Sequence, residues 1–116
     1  MKIAGRITFA DNPTGTVKVI DMYLVNSSNI YAVGYDTEEE QLYVEFLNGS
    51  VYRYNDVPED IWRKLLLVES KGSFLHFYVK INDDTYDYED VTGEVQVDYV
   101  GNAPNPGTPH ETGYMS

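Results

Sequence analysis

Apolar and polar positions alternate from the start of the chain. Ile3, Ile7 and Phe9 keep a period of two, Asn12-Pro13-Thr14-Gly15 is a turn signal, and Val17 and Val19 resume the alternation. Both stretches predict strands. Asn29 to Tyr35 is a β-branched and aromatic run, and the acidic stretch from Asp36 to Gln41 separates it from Leu42-Tyr43-Val44-Glu45-Phe46-Leu47. Asn48-Gly49 then stands between two alternating runs, and this dipeptide tolerates the positive φ that a type I′ hairpin turn demands. With Asn48-Gly49 as a two-residue loop, Leu47 faces Ser50, Phe46 faces Val51 and Tyr43 faces Tyr54. One face of the hairpin then carries Leu42, Val44, Phe46 and Val51, with Arg53 at its edge and Val33 and Tyr35 joining from the preceding strand. The other face carries Tyr43, Glu45, Leu47, Tyr52 and Tyr54, and is rich in tyrosine.

A helix is expected next. Asp56 suits its cap, Pro58 its first turn, and Glu59 and Asp60 the positive end of its dipole. Ile61, Trp62, Leu65, Leu66 and Val68 form its apolar stripe, and Lys71-Gly72 reads as its stop. Ser73 starts a short second helix through Phe74, Leu75, Phe77, Tyr78 and Val79. Asn82 to Thr85 reads as a loop, and Gly93 to Tyr99 as a late strand with Val95 and Val97 inward. Residues 101–116 hold three of the five prolines and no apolar period, which predicts a disordered tail. The expected fold is α+β: a small antiparallel β-meander packed against one main helix and a short second helix, with extra terminal strands. Its parts are a β extension at 1–24, a central unit at 25–91, a strand at 92–100 and the tail.

Composition narrows the function classes. At 116 residues one domain is expected, and the absence of cysteine excludes a disulfide scaffold, a thiolate metal site and a cysteine nucleophile. No apolar run approaches the ~20 residues of a membrane-spanning helix. Arg6 and Asp11 interrupt the first 15 residues, where a secretory signal would be apolar, so a cytoplasmic protein is expected. The formal net charge is −11, and residues 22–91 carry 14 acidic against five basic side chains. Nine of those acids fall in two stretches: Asp36, Glu38, Glu39 and Glu40, then Asp83, Asp84, Asp87, Glu89 and Asp90. Solvated loops account for both stretches; so does an acidic face shaped for a basic partner.

Ser28-Asn29-Ile30, Val33-Gly34-Tyr35-Asp36, Leu42-x-Val44-x-Phe46, Asn48-Gly49, Tyr52-Arg53-Tyr54, Val57-Pro58, Ser70-Lys71-Gly72 and Tyr86-x-Tyr88 follow one another in an order that resembles the KTSC domain. The similarity covers about residues 25–91. That module is named for its occurrence at the C-terminus of some lysyl-tRNA synthetases, and also occurs as stand-alone small proteins of bacteria and their phages. The resemblance implies no established catalytic residues and a suggested role in RNA binding. The chain departs from the family where His76 stands for Asn, Asp87 for Pro and Asp90 for a basic residue, and Ile81 to Asp83 looks like an insertion.

Nucleic-acid binding draws its affinity from Lys and Arg displacing counterions, and the central segment offers only Arg53, Arg63, Lys64, Lys71 and Lys80 among its acids. This charge balance argues against it. The second acidic stretch lacks the ligand spacing of an EF-hand loop, so no metal or other cofactor is expected. His76 and His110 accompany no nucleophile motif, and no catalytic activity is expected; hydrolysis becomes worth testing only if His76 lies in a cleft beside a carboxylate. Two readings remain. In the first, Glu38, Glu39, Glu40, Asp83 and Asp84, with the tyrosine face, engage a basic protein surface, such as the nucleic-acid groove of a host protein, as a phage- or mobile-element-encoded inhibitor would. In the second, Tyr43, Tyr52 and Tyr54 stack a small nucleotide or single-stranded RNA, with Arg53 and Lys71 on phosphate.

Overall fold

The computed structural model of the chain describes residues 3–11, 16–25, 27–79 and 86–99. Its strands are β1 (Ile3–Asp11), β2 (Thr16–Leu24), β3 (Ile30–Asp36), β4 (Gln41–Phe46), β5 (Val51–Tyr54), β6 (Tyr88–Asp90) and β7 (Gln96–Tyr99). All pair antiparallel in one sheet, in the order β6-β5-β4-β3-β2-β1-β7. Helix α1 spans Glu59–Leu67 and α2 spans Lys71–Phe74, which continues into a π-helical turn at Leu75–Val79. The fold is α+β, with the expected meander of β3, β4 and β5 and the expected main and short helices.

The sheet is curled. Seven strands at ~4.8 Å spacing would place the two edges of a flat sheet ~29 Å apart. Yet β6 and β7 are those edges, and the chain joins Asp90 to Gln96 within six residues, a reach of at most ~21 Å. The connection crosses through a 3₁₀ turn at Thr92–Glu94 and is fastened to β5: Val91 N donates to Val51 O at 2.9 Å, and Thr92 Oγ1 accepts from Val51 N at 2.9 Å.

Curling gives the sheet an outer and an inner face, each with its own core. The outer core packs Val33, Leu42, Val44 and Tyr54 against Val57, Leu65 and Leu75 from the helical side. The inner core joins Ile7, Ile20, Met22 and Val97 of the terminal strands to Tyr31, Tyr43 and Val51 of the central ones. Gly34 marks where β2 crosses close over β3: a Cβ there would lie 2.5 Å from the Asp21 carbonyl oxygen and 2.5 Å from Met22 Sδ. No other residue fits this approach without displacing backbone.

The hairpin differs from expectation. Leu42 faces Tyr54, Tyr43 faces Arg53, Val44 faces Tyr52 and Glu45 faces Val51. Gly49 N donates to Phe46 O and Phe46 N to Ser50 O, so the loop is the three residues Leu47-Asn48-Gly49, closed by Gly49 at φ 91°. This is a turn followed by a glycine bulge, which Asn-Gly serves as well as a two-residue turn. A slip of one residue moves the whole of β5 to the other side. Tyr52 and Tyr54 therefore lie with Leu42 and Val44 on the outer face, while Val51 and Arg53 lie inside with Tyr43 and Glu45. The single tyrosine-rich face does not form.

Three smaller expectations change as well. Asp56 does not cap α1; it sits at φ 57°, and the residue preceding the helix is Pro58, with no side-chain cap. Lys71-Gly72 does not stop α1, which ends at Leu67 with Val68 extended, but opens α2. Gly72 is needed for contact, since its Cβ would fall 2.9 Å from Ser27 Oγ. Residues 88–90 form an edge strand, where one of the two readings of the acidic stretch expects a solvated loop. The Asn12–Gly15 turn, residues 82–85 with Asp83 and Asp84, His110 and the expected tail lie outside the described residues.

Candidate functional site

Antiparallel pairing sends the start of β4, the end of β5 and the start of β6 to one end of the sheet, and this end is acidic. The turn from β3 to β4 is shaped by Asp36, whose buried carboxylate accepts the backbone N–H groups of Glu38 at 3.0 Å and Glu39 at 3.2 Å. Glu38, Glu39 and Glu40 are thereby held pointing to solvent. Val57 N donates to Glu40 O at 2.9 Å, which ties this turn to the approach to α1. Asn55 N donates to Asp87 O at 2.8 Å, which brings in the residues ahead of β6. Exposed Glu38, Glu39, Glu40, Asp56, Asp60 and Asp87 share this end, with half-buried Glu59.

Tyr35 registers the combined field. Its hydroxyl donates to Val57 O, and its ring stacks on Trp62 at 5.7 Å between centroids. Burial pushes its pKa up to about 12, reinforced by Glu40, Glu59, Asp36 and Asp60 in turn. Carboxylates from the turn, β3 and α1 thus act on one hydroxyl. Arg63 answers Glu59 at 2.8 Å and Lys64 answers Asp60 at 3.9 Å, both as exposed pairs within one helix. Among the described residues no three acidic or histidine side chains are grouped as metal ligands.

Glu89 and Asp90 of the second stretch serve the fold. Glu89 Oε2 accepts from Arg53 Nη2 at 2.6 Å and Nε at 3.2 Å, and these bonds hold the Glu89 carboxyl below its ordinary pKa. Burial alone would lower the Arg53 pKa, but hydrogen bonds to Glu89 and Tyr43 outweigh it and raise the value. Asp90 Oδ1 accepts from Thr92 N at 3.0 Å, shaping the connection to β7.

The candidate tyrosines separate. Tyr43 is fully buried in the inner core, where Glu45 is also buried, and Tyr54 is fully buried in the outer core. Burial, then Tyr88 and Tyr52, push the Tyr54 hydroxyl above the usual phenol pKa. Tyr52 is half-buried, with its ring stacked on Tyr88 at 5.5 Å and edge-on to Phe46 at 5.4 Å. Tyr88, which the sequence reading passed over, is the exposed member of this row. Its only advance signal was the Tyr86-x-Tyr88 motif. Arg53 is bonded to Glu89 and to buried Tyr43, and Lys71 Nζ donates to Val68 O at 2.7 Å, so the two cations do not form one surface with the tyrosines. His76 does line a cleft, but among the described residues its walls are serine, asparagine and glycine and hold no carboxylate.

The KTSC domain model matches residues 26–82. A protein of Tsukamurella paurometabola is 42% identical over 59 residues, which span 51% of this chain and 88% of that relative. The chain belongs to the KTSC domain family. An uncharacterized protein of Stutzerimonas stutzeri is 38% identical over 64 residues, 55% of this chain and 87% of its own. The crystal structure of a KTSC domain protein from Yersinia pestis superposes with a TM-score of 0.55 at 27% identity, covering 61% of this chain and 96% of that one. The KTSC match takes in the meander and both helices; β1, β2, β6 and β7 lie outside it. Among the described residues no helix is long and apolar enough to cross a membrane.

Proposed function

We propose that this KTSC protein is a non-catalytic interaction module whose acidic end engages a basic protein surface in the cytoplasm. The observation that carries the reading is the meeting of two acidic stretches, distant in sequence, at one end of the sheet: Glu38–Glu40 with Asp87, joined by Asp56 and the start of α1. The two cations of α1, Arg63 and Lys64, are already paired with Glu59 and Asp60. A partner with a nucleic-acid-binding groove offers the complementary field, and a phage- or mobile-element-encoded inhibitor would work by filling it.

The test compares the wild-type chain with a triple charge reversal, Glu38→Lys, Glu39→Lys and Glu40→Lys, in capture from host extract and then in affinity for the purified partner. A basic protein should be retained by the wild type, released at about 0.5 M salt because screening shortens the reach of exposed charges, and lost to the variant. Unchanged affinity in the variant, or in high salt, overturns the reading. A second reading rests on the half-exposed Tyr52–Tyr88 stack, a platform for the base of a small nucleotide or single-stranded RNA. Calorimetric titration of the wild type and of Tyr88→Ala with a nucleotide panel decides it, and no heat of binding to the wild type dismisses it.

A further inference from the structure

The end of the sheet opposite the acidic turn holds a cleft of about 380 Å³. One wall is the segment leading into β3, with Ser28 and Asn29; the other is the start of α2 and the π-helical turn after it, with Ser70, Ser73 and His76. The walls come from stretches some 40 residues apart in sequence, and both carry family motif residues, Ser28-Asn29-Ile30 and Ser70-Lys71-Gly72. They meet because Gly72 has no side chain to push Ser27 away. Ser27 itself is committed to the fold: its Oγ accepts from Asn29 N and Ile30 N at 3.3 Å each and donates to Asn29 Oδ1 at 3.1 Å. Among the described residues no protein group takes the side-chain hydroxyls of Ser28, Ser70 or Ser73. His76 stands in a π-helical turn, a rare conformation frequent at functional sites.

The chemistry of the walls narrows the ligand. Among the described residues no carboxylate lines the cleft, and Lys71 turns its ammonium to Val68 O, so none of them sets a full negative or positive side-chain charge there. A net charge of −11 further repels anions. What these walls offer is hydroxyl and amide, groups that both donate and accept. The volume lies at the small end of the ~300–1,000 Å³ range of ligand pockets. We propose that this cleft binds a neutral, hydroxyl-rich molecule the size of one sugar ring, free or as the ribose of a nucleoside. The site is separate from the acidic end and does not depend on it.

Amide chemical-shift mapping on the full chain tests the proposal, with ribose, glucose, adenosine and inorganic phosphate as separate probes. At least one of the three sugar-bearing probes should produce saturable shifts at Ser28, Asn29, Ser70, Ser73 and His76, with none at Glu38–Glu40, and phosphate should produce none. Ser28→Ala and Ser73→Ala should each weaken that binding about tenfold, by removing a hydroxyl partner. The proposal is overturned if no sugar probe shifts these residues at about 50 mM, far above a ~1 mM dissociation constant. It is equally overturned if phosphate alone shifts them, or if both alanine variants, folded by the same spectra, bind as the wild type does.

Discussion

The two faces of the sheet are built from the same central strands but from different parts of the chain. Among the described residues the buried members of the outer core come from residues 25–79, close to the family match, with Tyr86 packed against them, and the helices roof it. The inner core takes Ala4, Ile7, Ile20 and Met22 from the first strands, Val97 from the last and Val91 from the connection that leads to it. Strands β3 and β4 are buried on both sides, with Tyr31, Tyr43 and Glu45 aimed inward. Such strands need cover on each face. The terminal strands are therefore the second half of the protein's interior, and the sheet curls because its last strand must return to pair with its first.

The largest effects should come from the tyrosines that fill each core. Tyr54→Ala on the outer face and Tyr43→Ala on the inner face each remove a fully buried ring, and each should cost about 3–5 kcal/mol in urea unfolding. A cost for Tyr54 alone would mean that the inner face does not hold the fold together. Next comes Gly34→Ala, which overpacks the crossing of β2 on β3 and should cost about 1–3 kcal/mol; full tolerance would mean that the two strands lie further apart. Tyr52→Ala loses a half-buried stack on Tyr88 and an edge contact with Phe46 and should cost about 1 kcal/mol, which a two-residue hairpin placing Tyr52 beside Tyr43 would not give.

Two titrations sharpen the comparison at smaller scale. Tyr35 has its pKa raised from 10.0 to about 12. Its neutral form is favoured by folding, so its contribution is full below pH 10 and is lost as pH rises through about 12. Tyr35→Phe should flatten that part of the stability profile. Glu89 shifts the other way, below its ordinary 4.5, so its contribution is full above that value and disappears as pH falls through the lower folded-state pKa. Glu89 is the exposed member of its pair with half-buried Arg53, so Glu89→Gln should cost only about 0.2–1 kcal/mol at neutral pH and nothing in strong acid.

Local signals placed the elements well and their partners poorly. Gly49 marked the hairpin, and Pro58, Glu59 and Asp60 marked the start of α1. The hairpin register was not legible because its strands have no polar face: Leu42, Tyr43, Val44, Val51, Tyr52 and Tyr54 can be buried on either side, and Asn48-Gly49 serves both loop lengths. Long-range packing of Tyr54 under Val57 and Leu65 accompanies the longer loop. Asp56 looked like a cap because its side chain suits one, yet its backbone turns the chain instead. The acidic stretches were visible separately, but their meeting depends on β6 lying beside β5, which no spacing announces. The cleft was hidden for the same reason. Ser28 and Ser73 become neighbours only through Gly72, which by composition alone reads as a helix stop.

The pairing of Gly5 with Tyr99 has a kinetic side. Every other ladder of the sheet joins strands closer in sequence, and a contact between such distant residues closes the longest loop, slowing folding. A circular permutant that links the ends of β1 and β7 and opens the chain at Asn48-Gly49 makes that closure local and the central hairpin distant. In such a chain the order of assembly should invert, with the terminal strands forming first and the KTSC meander completing last.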